Sequence, residues 1–169
     1  MLVSIAQRLD SWARNFSPAM TAILFAILEV VPTGIPGFEN VTPAFAMMAV
    51  FYWSLYRPDL VPVTAVFAVG LLLDILSGGP IGINALIMLG AYGVVLTQRP
   101  AFLGKPFFVA WLGFVVIAGV AVFLHWLLSC LLALQLLPIG KAIGQFVLTA
   151  VVFPLVAWML VRVHRLWVR

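Results

Sequence analysis

The sequence predicts an all-α integral membrane protein: six transmembrane helices in a single domain, residues 1–169, with both termini cytoplasmic. Three observations predict it. Only 8% of the residues are charged while 65% are apolar, and a water-soluble domain covers its surface with about 25% charged residues. The apolar residues fall into runs separated by Pro, Gly and charged turns. The basic residues recur on one side of those runs.

Residues 1–16 come first. Leu2, Ile5, Leu9, Trp12 and Phe16 recur at helical spacing, with Arg8, Ser11, Arg14 and Asn15 on other faces. This predicts an interfacial helix on the cytoplasmic surface, with Trp12 at the headgroups. The first span covers about 17–31. It follows Arg8 and Arg14, as a signal peptide would, but lacks a small-x-small cleavage site and reads as a retained anchor. Pro32-Thr33-Gly34-Ile35-Pro36-Gly37 breaks it. The second span, 42–56, ends at the polar turn Arg57-Pro58-Asp59. The third, 60–76, ends at Gly78-Gly79-Pro80. The fourth, 81–97, precedes Gln98-Arg99-Pro100. The fifth, 107–137, is too long for one ordinary span and too short for two, and reads as one protruding or tilted helix stopped by Pro138-Ile139-Gly140. The sixth covers 143–161, before a basic tail. Spans two to four are short against about 30 Å of hydrocarbon, which calls for local thinning or burial among neighbours.

Orientation follows from charge. With the N-terminus inside, Arg8, Arg14, Arg57, Arg99, Lys105, Arg162, Arg165 and Arg169 face the cytoplasm and only Lys141 faces out. An odd number of spans would spoil that pattern. The same scatter excludes a nucleic-acid patch, although the net charge is +4. The lone cysteine, Cys130, precludes an internal disulfide and reads as a packing residue.

No enzyme constellation emerges. The acids are Asp10, Glu29, Glu39, Asp59 and Asp74; the histidines, His125 and His164, sit on different predicted helices without metal-ligand spacing. There is no Gly-x-Ser-x-Gly elbow. The reading is therefore no catalytic, cofactor-binding or metal-binding residues. Asp74 is the most informative position, because a carboxylate in a span is expensive and thus partnered or functional. It either caps the tight hairpin that follows it, contacts a ligand or partner, or couples to protons or ions. Glu29 is read as solvated at the outer interface, with pairing to Lys141 as the alternative. His125 either bonds a neighbouring helix or titrates, with Gln135 further out. Gly140-x-x-x-Gly144 has helix-packing spacing.

Residues 53–86 carry a resemblance. Trp53-x-x-x-Arg57-Pro58-Asp59-x-x-Pro62, followed by Gly70-x-x-x-Asp74-x-x-x-Gly78-x-Pro80-x-Gly82-x-x-Ala85-Leu86, is similar to the signature of the MreD family of bacterial rod shape-determining membrane proteins. The doubled Gly78-Gly79 is a local variation. The resemblance implies a non-catalytic scaffold of the peptidoglycan elongation machinery in the bacterial inner membrane. It implies partnership with the membrane anchor of MreC, the actin-like MreB, a SEDS-family glycosyltransferase and a penicillin-binding transpeptidase. It also implies a helix arrangement similar to the substrate-binding subunits of energy-coupling-factor transporters. On that reading Asp74, Gly78, Pro80, Gly82 and Asn84 form a shaped outer hairpin that meets a partner. Arg57, Pro58 and Asp59 form a cytoplasmic turn for cytoskeletal partners or anionic lipid. The rival is a small-molecule-binding subunit of a transporter, weakened because the outer loops offer few polar side chains, mainly Glu39, Asn40, Asn84 and Lys141. A structural subunit of an unrelated membrane complex is the third reading.

Overall fold

The computed structural model describes residues 18–31 and 41–167, with side chains to residue 164. The amphipathic segment 1–16, the break at Pro32–Gly37, Glu39, Asn40, Arg8, Arg14, Arg169 and the side chain of Arg165 lie outside the described residues.

Six helices and no strands occur among the described residues: α1 Pro18–Val30, α2 Phe45–Tyr56, α3 Val63–Ser77, α4 Ile83–Phe102, α5 Phe107–Ala133 and α6 Ile139–Trp167. Three are long and apolar enough to cross a membrane, namely α4, α5 and α6 up to His164. The others are shorter: α3, with 15 residues, rises only about 22 Å.

Several boundaries differ from the sequence reading, each for a local reason. Pro100 does not stop the fourth run; it sits inside the end of α4, which continues to Phe102. The fifth run is one unbroken helix, but it stops at Ala133, not at residue 137, because Leu134 turns left-handed (φ 52°). Leu137 then folds back: its N–H donates to Cys130 Sγ (3.3 Å), and its carbonyl accepts from Trp126 Nε1 (3.1 Å). Cys130 thus does more than pack. Pro138 precedes α6, which starts at Ile139 and not at residue 143. In place of a third helix from residue 60, a single 3-10 turn covers Pro58–Leu60 and α3 begins at Val63.

α2 is the axis of the bundle. Every residue from Ala46 to Leu55 is buried. A helix that is apolar all round belongs in an interior, and α2 packs against α4, α5 and α6, while Phe25 of α1 meets Phe45. Beside it, Phe114 and Phe153 stack at 3.9 Å and Phe51 stands edge-on to both, at 5.2 and 5.7 Å.

Small residues let the other helices close in. A Cβ on Gly70 would lie 2.4 Å from Ala85 Cα, so the α3 and α4 backbones touch. α3 packs chiefly on α4. On the outside, α5 presents Phe108, Leu112, Val116, Val120, Leu124, Leu127 and Leu131, an exposed apolar stripe at helical spacing. Such a stripe suits lipid rather than water.

Backbone groups inside a bilayer must be satisfied by the protein itself. Pro154 lies within α6 and supplies no N–H to the carbonyl one turn before it, that of Ala150. Trp111 Nε1 of α5 donates to that same carbonyl at 3.0 Å. The indole replaces the missing helix bond.

Candidate functional site

The polar groups of this apolar chain concentrate where α2 and α4 begin. Neither helix has a capping side chain of its own: the N-cap residues are Ala44 and Gly82. The first turn of any helix leaves its N–H groups unpaired. Here neighbouring helices supply the acceptors.

Asp74, near the end of α3 and 2% exposed, caps α4. Its Oδ2 accepts from Gly82 N–H at 2.8 Å and Ala85 N–H at 3.3 Å, and its Oδ1 accepts from Asn84 N–H at 2.9 Å. A carboxylate accepting several backbone N–H groups at a helix N-terminus is favoured by hydrogen bonding and by the helix dipole. The turn that brings α4 back onto Asp74 depends on two glycines in left-handed backbone. Gly78 (φ 66°) terminates α3 and Gly82 (φ 104°) starts α4. A Cβ at either position would meet nothing within 4 Å, so the requirement there is conformational rather than steric. Pro80 is exposed on the turn. The structure thus brings Asp74, Gly78, Pro80, Gly82 and Asn84 together in one hairpin.

Glu29 does the corresponding work for α2. Its Oε2 accepts from Ala46 N–H at 3.1 Å, and buried Thr149 of α6 accepts from Ala44 N–H through Oγ1 at 3.0 Å. Glu29, half-buried, therefore holds a helix start, and it is not paired with Lys141, which makes no ion pair among the described residues.

The two carboxylates face one cavity of about 590 Å³, formed by the ends of α1, α3 and α5 and the beginnings of α2, α4 and α6. It adjoins a second of about 560 Å³, rimmed by Lys141, and His125, Ser129 and Gln145 line both. The walls are otherwise apolar, with Leu73, Ile83 and Ile87 among them. Sequence reasoning missed this convergence. It took His125 as an isolated group accompanied by Gln135; in the fold His125 looks across the cavity within electrostatic reach of Asp74, while Gln135 is exposed and Gln145 is the amide that lines the space. The available signal was that Glu29, Asp74 and Gln145 each stand near the same end of a different apolar run, with His125 about midway along another. Among the described residues no three His, Cys, Asp or Glu side chains gather as metal ligands.

Arg57, Pro58 and Asp59 precede the start of α3, and Asp74 stands about 17 Å further along that helix. The structure does not bring the two motifs together. Arg57 N–H caps α2 by donating to Trp53 O, and Leu60 N–H closes the turn on Arg57 O; Asp59 is exposed. At this end Arg99 of α4 reaches α2, donating from Nε to Leu55 O at 2.9 Å. Trp53 stacks on His164 at 5.5 Å, and the guanidinium of Arg162 lies 4.7 Å over the ring of Trp158.

The family model described as rod shape-determining protein MreD matches residues 12–168. The chain belongs to the MreD family. Both motifs, the Asp74 hairpin and the Arg57 turn, lie inside the match, so this polar hairpin end and this apolar exterior are those of an MreD-family membrane protein. A 66-residue stretch is also 30% identical to the rod shape-determining protein MreD of Haemophilus influenzae (strain ATCC 51907 / DSM 11121 / KW20 / Rd), covering 39% of this chain and 40% of that relative. The match thus spans less than half the relative's length. No solved structure matches.

Proposed function

We propose that this MreD-family chain is a non-catalytic scaffold of the peptidoglycan elongation machinery in the bacterial inner membrane, and that it acts by holding the membrane anchor of MreC. Membership of a rod shape-determining family along almost the whole chain is the observation that carries the reading. Three physical points support it. The exterior is apolar along α5. Both carboxylates at the hairpin end are engaged in fixing helix ends. The six helices, together with the one-sided distribution of the basic residues, fit six crossings with both ends cytoplasmic. The short α2 and α3 are accommodated because α2 is enclosed and α3 rests on α4. MreB, the SEDS-family glycosyltransferase and the penicillin-binding transpeptidase join the same assembly in this reading. The Arg57–Asp59 turn faces the cytoskeletal side.

The test is co-purification from a mild detergent of the tagged chain with its neighbouring cell-shape proteins. Stoichiometric MreC, lost when the Asp74–Asn84 hairpin is altered in a variant that still folds, supports the scaffold. Recovery of the chain alone with a tightly held small molecule favours the second reading, a ligand-binding transporter subunit. The cavity at the hairpin end is the observation behind that rival.

A further inference from the structure

The cavity holds more hydrogen-bonding capacity than the fold uses. Glu29 is half-buried on the cavity wall, and among the described residues only its Oε2 is engaged, leaving Oε1 without a protein partner. Asp74 Oδ1 accepts a single bond and retains a lone pair. Among the described residues neither acid has a Lys or Arg partner. Asn84, His125, Ser129 and Gln145 also line the cavity, and their side chains make no hydrogen bond among the described residues. Carboxylates at membrane depth with no counter-charge are costly, and about 590 Å³ is the size of an ordinary ligand pocket.

The charge layout specifies what would fill it. The acids line the cavity, and Lys141, the one Lys or Arg among the described residues that line either lobe, stands at the rim of the adjoining one. We propose that the cavity binds a small zwitterion of the aminoalkyl phosphate class, with its primary ammonium against Glu29 and Asp74 and its phosphate toward Lys141. An ammonium brings three N–H donors, which match Glu29 Oε1, Asp74 Oδ1 and the Gln145 or Ser129 oxygen. A trimethylammonium brings none. Leu73, Ile83, Ile87 and Val122 provide the apolar wall against which the rest of a lipid would lie. The same chemistry can come from an ethanolamine lipid headgroup or from free phosphoethanolamine. The assignment does not depend on the scaffold reading, since a scaffold and a transporter subunit can both carry it.

The experiment uses the full chain, purified and delipidated in detergent. Its thermal midpoint is followed on adding phosphatidylethanolamine, phosphatidylcholine, phosphatidylglycerol or free phosphoethanolamine. The expected result is a rise of about 3 °C or more with phosphatidylethanolamine at ten times its Kd, and a clearly smaller rise with the choline and glycerol lipids. A matching rise with free phosphoethanolamine assigns the ligand as soluble; a rise with the lipid alone assigns it as a headgroup. Glu29→Gln still offers an amide oxygen to Ala46 N–H, so it should leave the unliganded midpoint nearly unchanged while removing the ethanolamine increment. Lys141→Gln should reduce that increment. Equal responses to all four additives, or an ethanolamine increment that survives Glu29→Gln, would overturn the proposal.

Discussion

The two ends of the bundle solve the same problem with opposite chemistry. At the hairpin end, helices begin: α2 and α4 expose N–H groups to an apolar surrounding, and carboxylates from α1 and α3 meet them. At the other end α2 stops, its last carbonyls have no further turn to pair with, and a guanidinium meets Leu55 O. Anion at the start and cation at the finish is the arrangement a helix dipole prefers. None of these three charged groups comes from the helix it serves. The remaining space differs too. Between the ends, Phe51, Phe114 and Phe153 interlock, with a gap of only about 10 Å³ beside Phe51; at the hairpin end the carboxylates border an open cavity. A helix too short to span the membrane alone is thus held at both ends by neighbours, and the carboxylates that hold helix starts also line a space in which a ligand would fit.

The most direct way to break that comparison is to remove Asp74. Asp74→Ala strands the N–H groups of Gly82, Asn84 and Ala85 where water is scarce. Hydrogen bonds to charged groups contribute roughly 1.5–3 kcal/mol each, and stranded partners add to the loss, so a destabilisation of about 3 kcal/mol or more is expected. Asp59→Ala, at an exposed position, should stay within about 0.5 kcal/mol. Unfolding titrations in detergent compare the two directly, and equal midpoints would remove the distinction between the ends. Next in size is Gly70→Ala, which forces α3 off α4 because the new methyl meets backbone at 2.4 Å. Overpacking of this kind costs roughly 1–3 kcal/mol. It should loosen the hairpin while leaving the Phe51, Phe114 and Phe153 cluster intact, which hydrogen exchange of α3 against α2 would resolve.

How much of this was legible in the sequence differs between the two ends. The all-helical class followed from periodicity and charge poverty, because Pro, Gly and charged residues punctuate apolar runs that each turn out to hold a helix. Asp74 stood out because a lone acid among Leu71, Leu72, Leu73 and Ile75 violates the composition around it. Glu29 did not stand out, since it sits at the end of its run, where a solvated carboxyl is unremarkable. Its partner Ala46 lies beyond a turn that sequence cannot fold. The cavity was illegible for the same reason: residues from six segments line it, and no spacing rule links Glu29 to Gln145. The helix boundaries missed at Pro100 and Pro138 show the limit of reading proline as a stop. A proline in the last turn, or just before a first turn, leaves the helix intact.

Pro154 offers a smaller and sharper test, on the tightly packed side of the comparison. If the indole of Trp111 stands in for the missing helix bond, Trp111→Phe keeps the ring but orphans Ala150 O, at a cost of about 1–2 kcal/mol. Pro154→Ala restores an N–H for that carbonyl. The double variant should therefore lose less than Trp111→Phe alone, and a strictly additive cycle would show that the two groups act independently.

The smallest expected effect returns to the hairpin end and has the opposite sign. Leu134 ends α5 in left-handed backbone at φ 52°, with 93% of its surface exposed. An L-residue with a Cβ is strained there by about 1 kcal/mol, while glycine is the residue that ordinarily closes a helix this way. Leu134→Gly relieves the strain and gives up little packing, against a loss of chain entropy in the unfolded state. A gain of roughly 0.5 kcal/mol is expected, read as a small rise in the thermal midpoint. A fall instead would mean that the exposed leucine is held by lipid, and that the strained stop of α5 is stabilised by the membrane rather than tolerated by the chain.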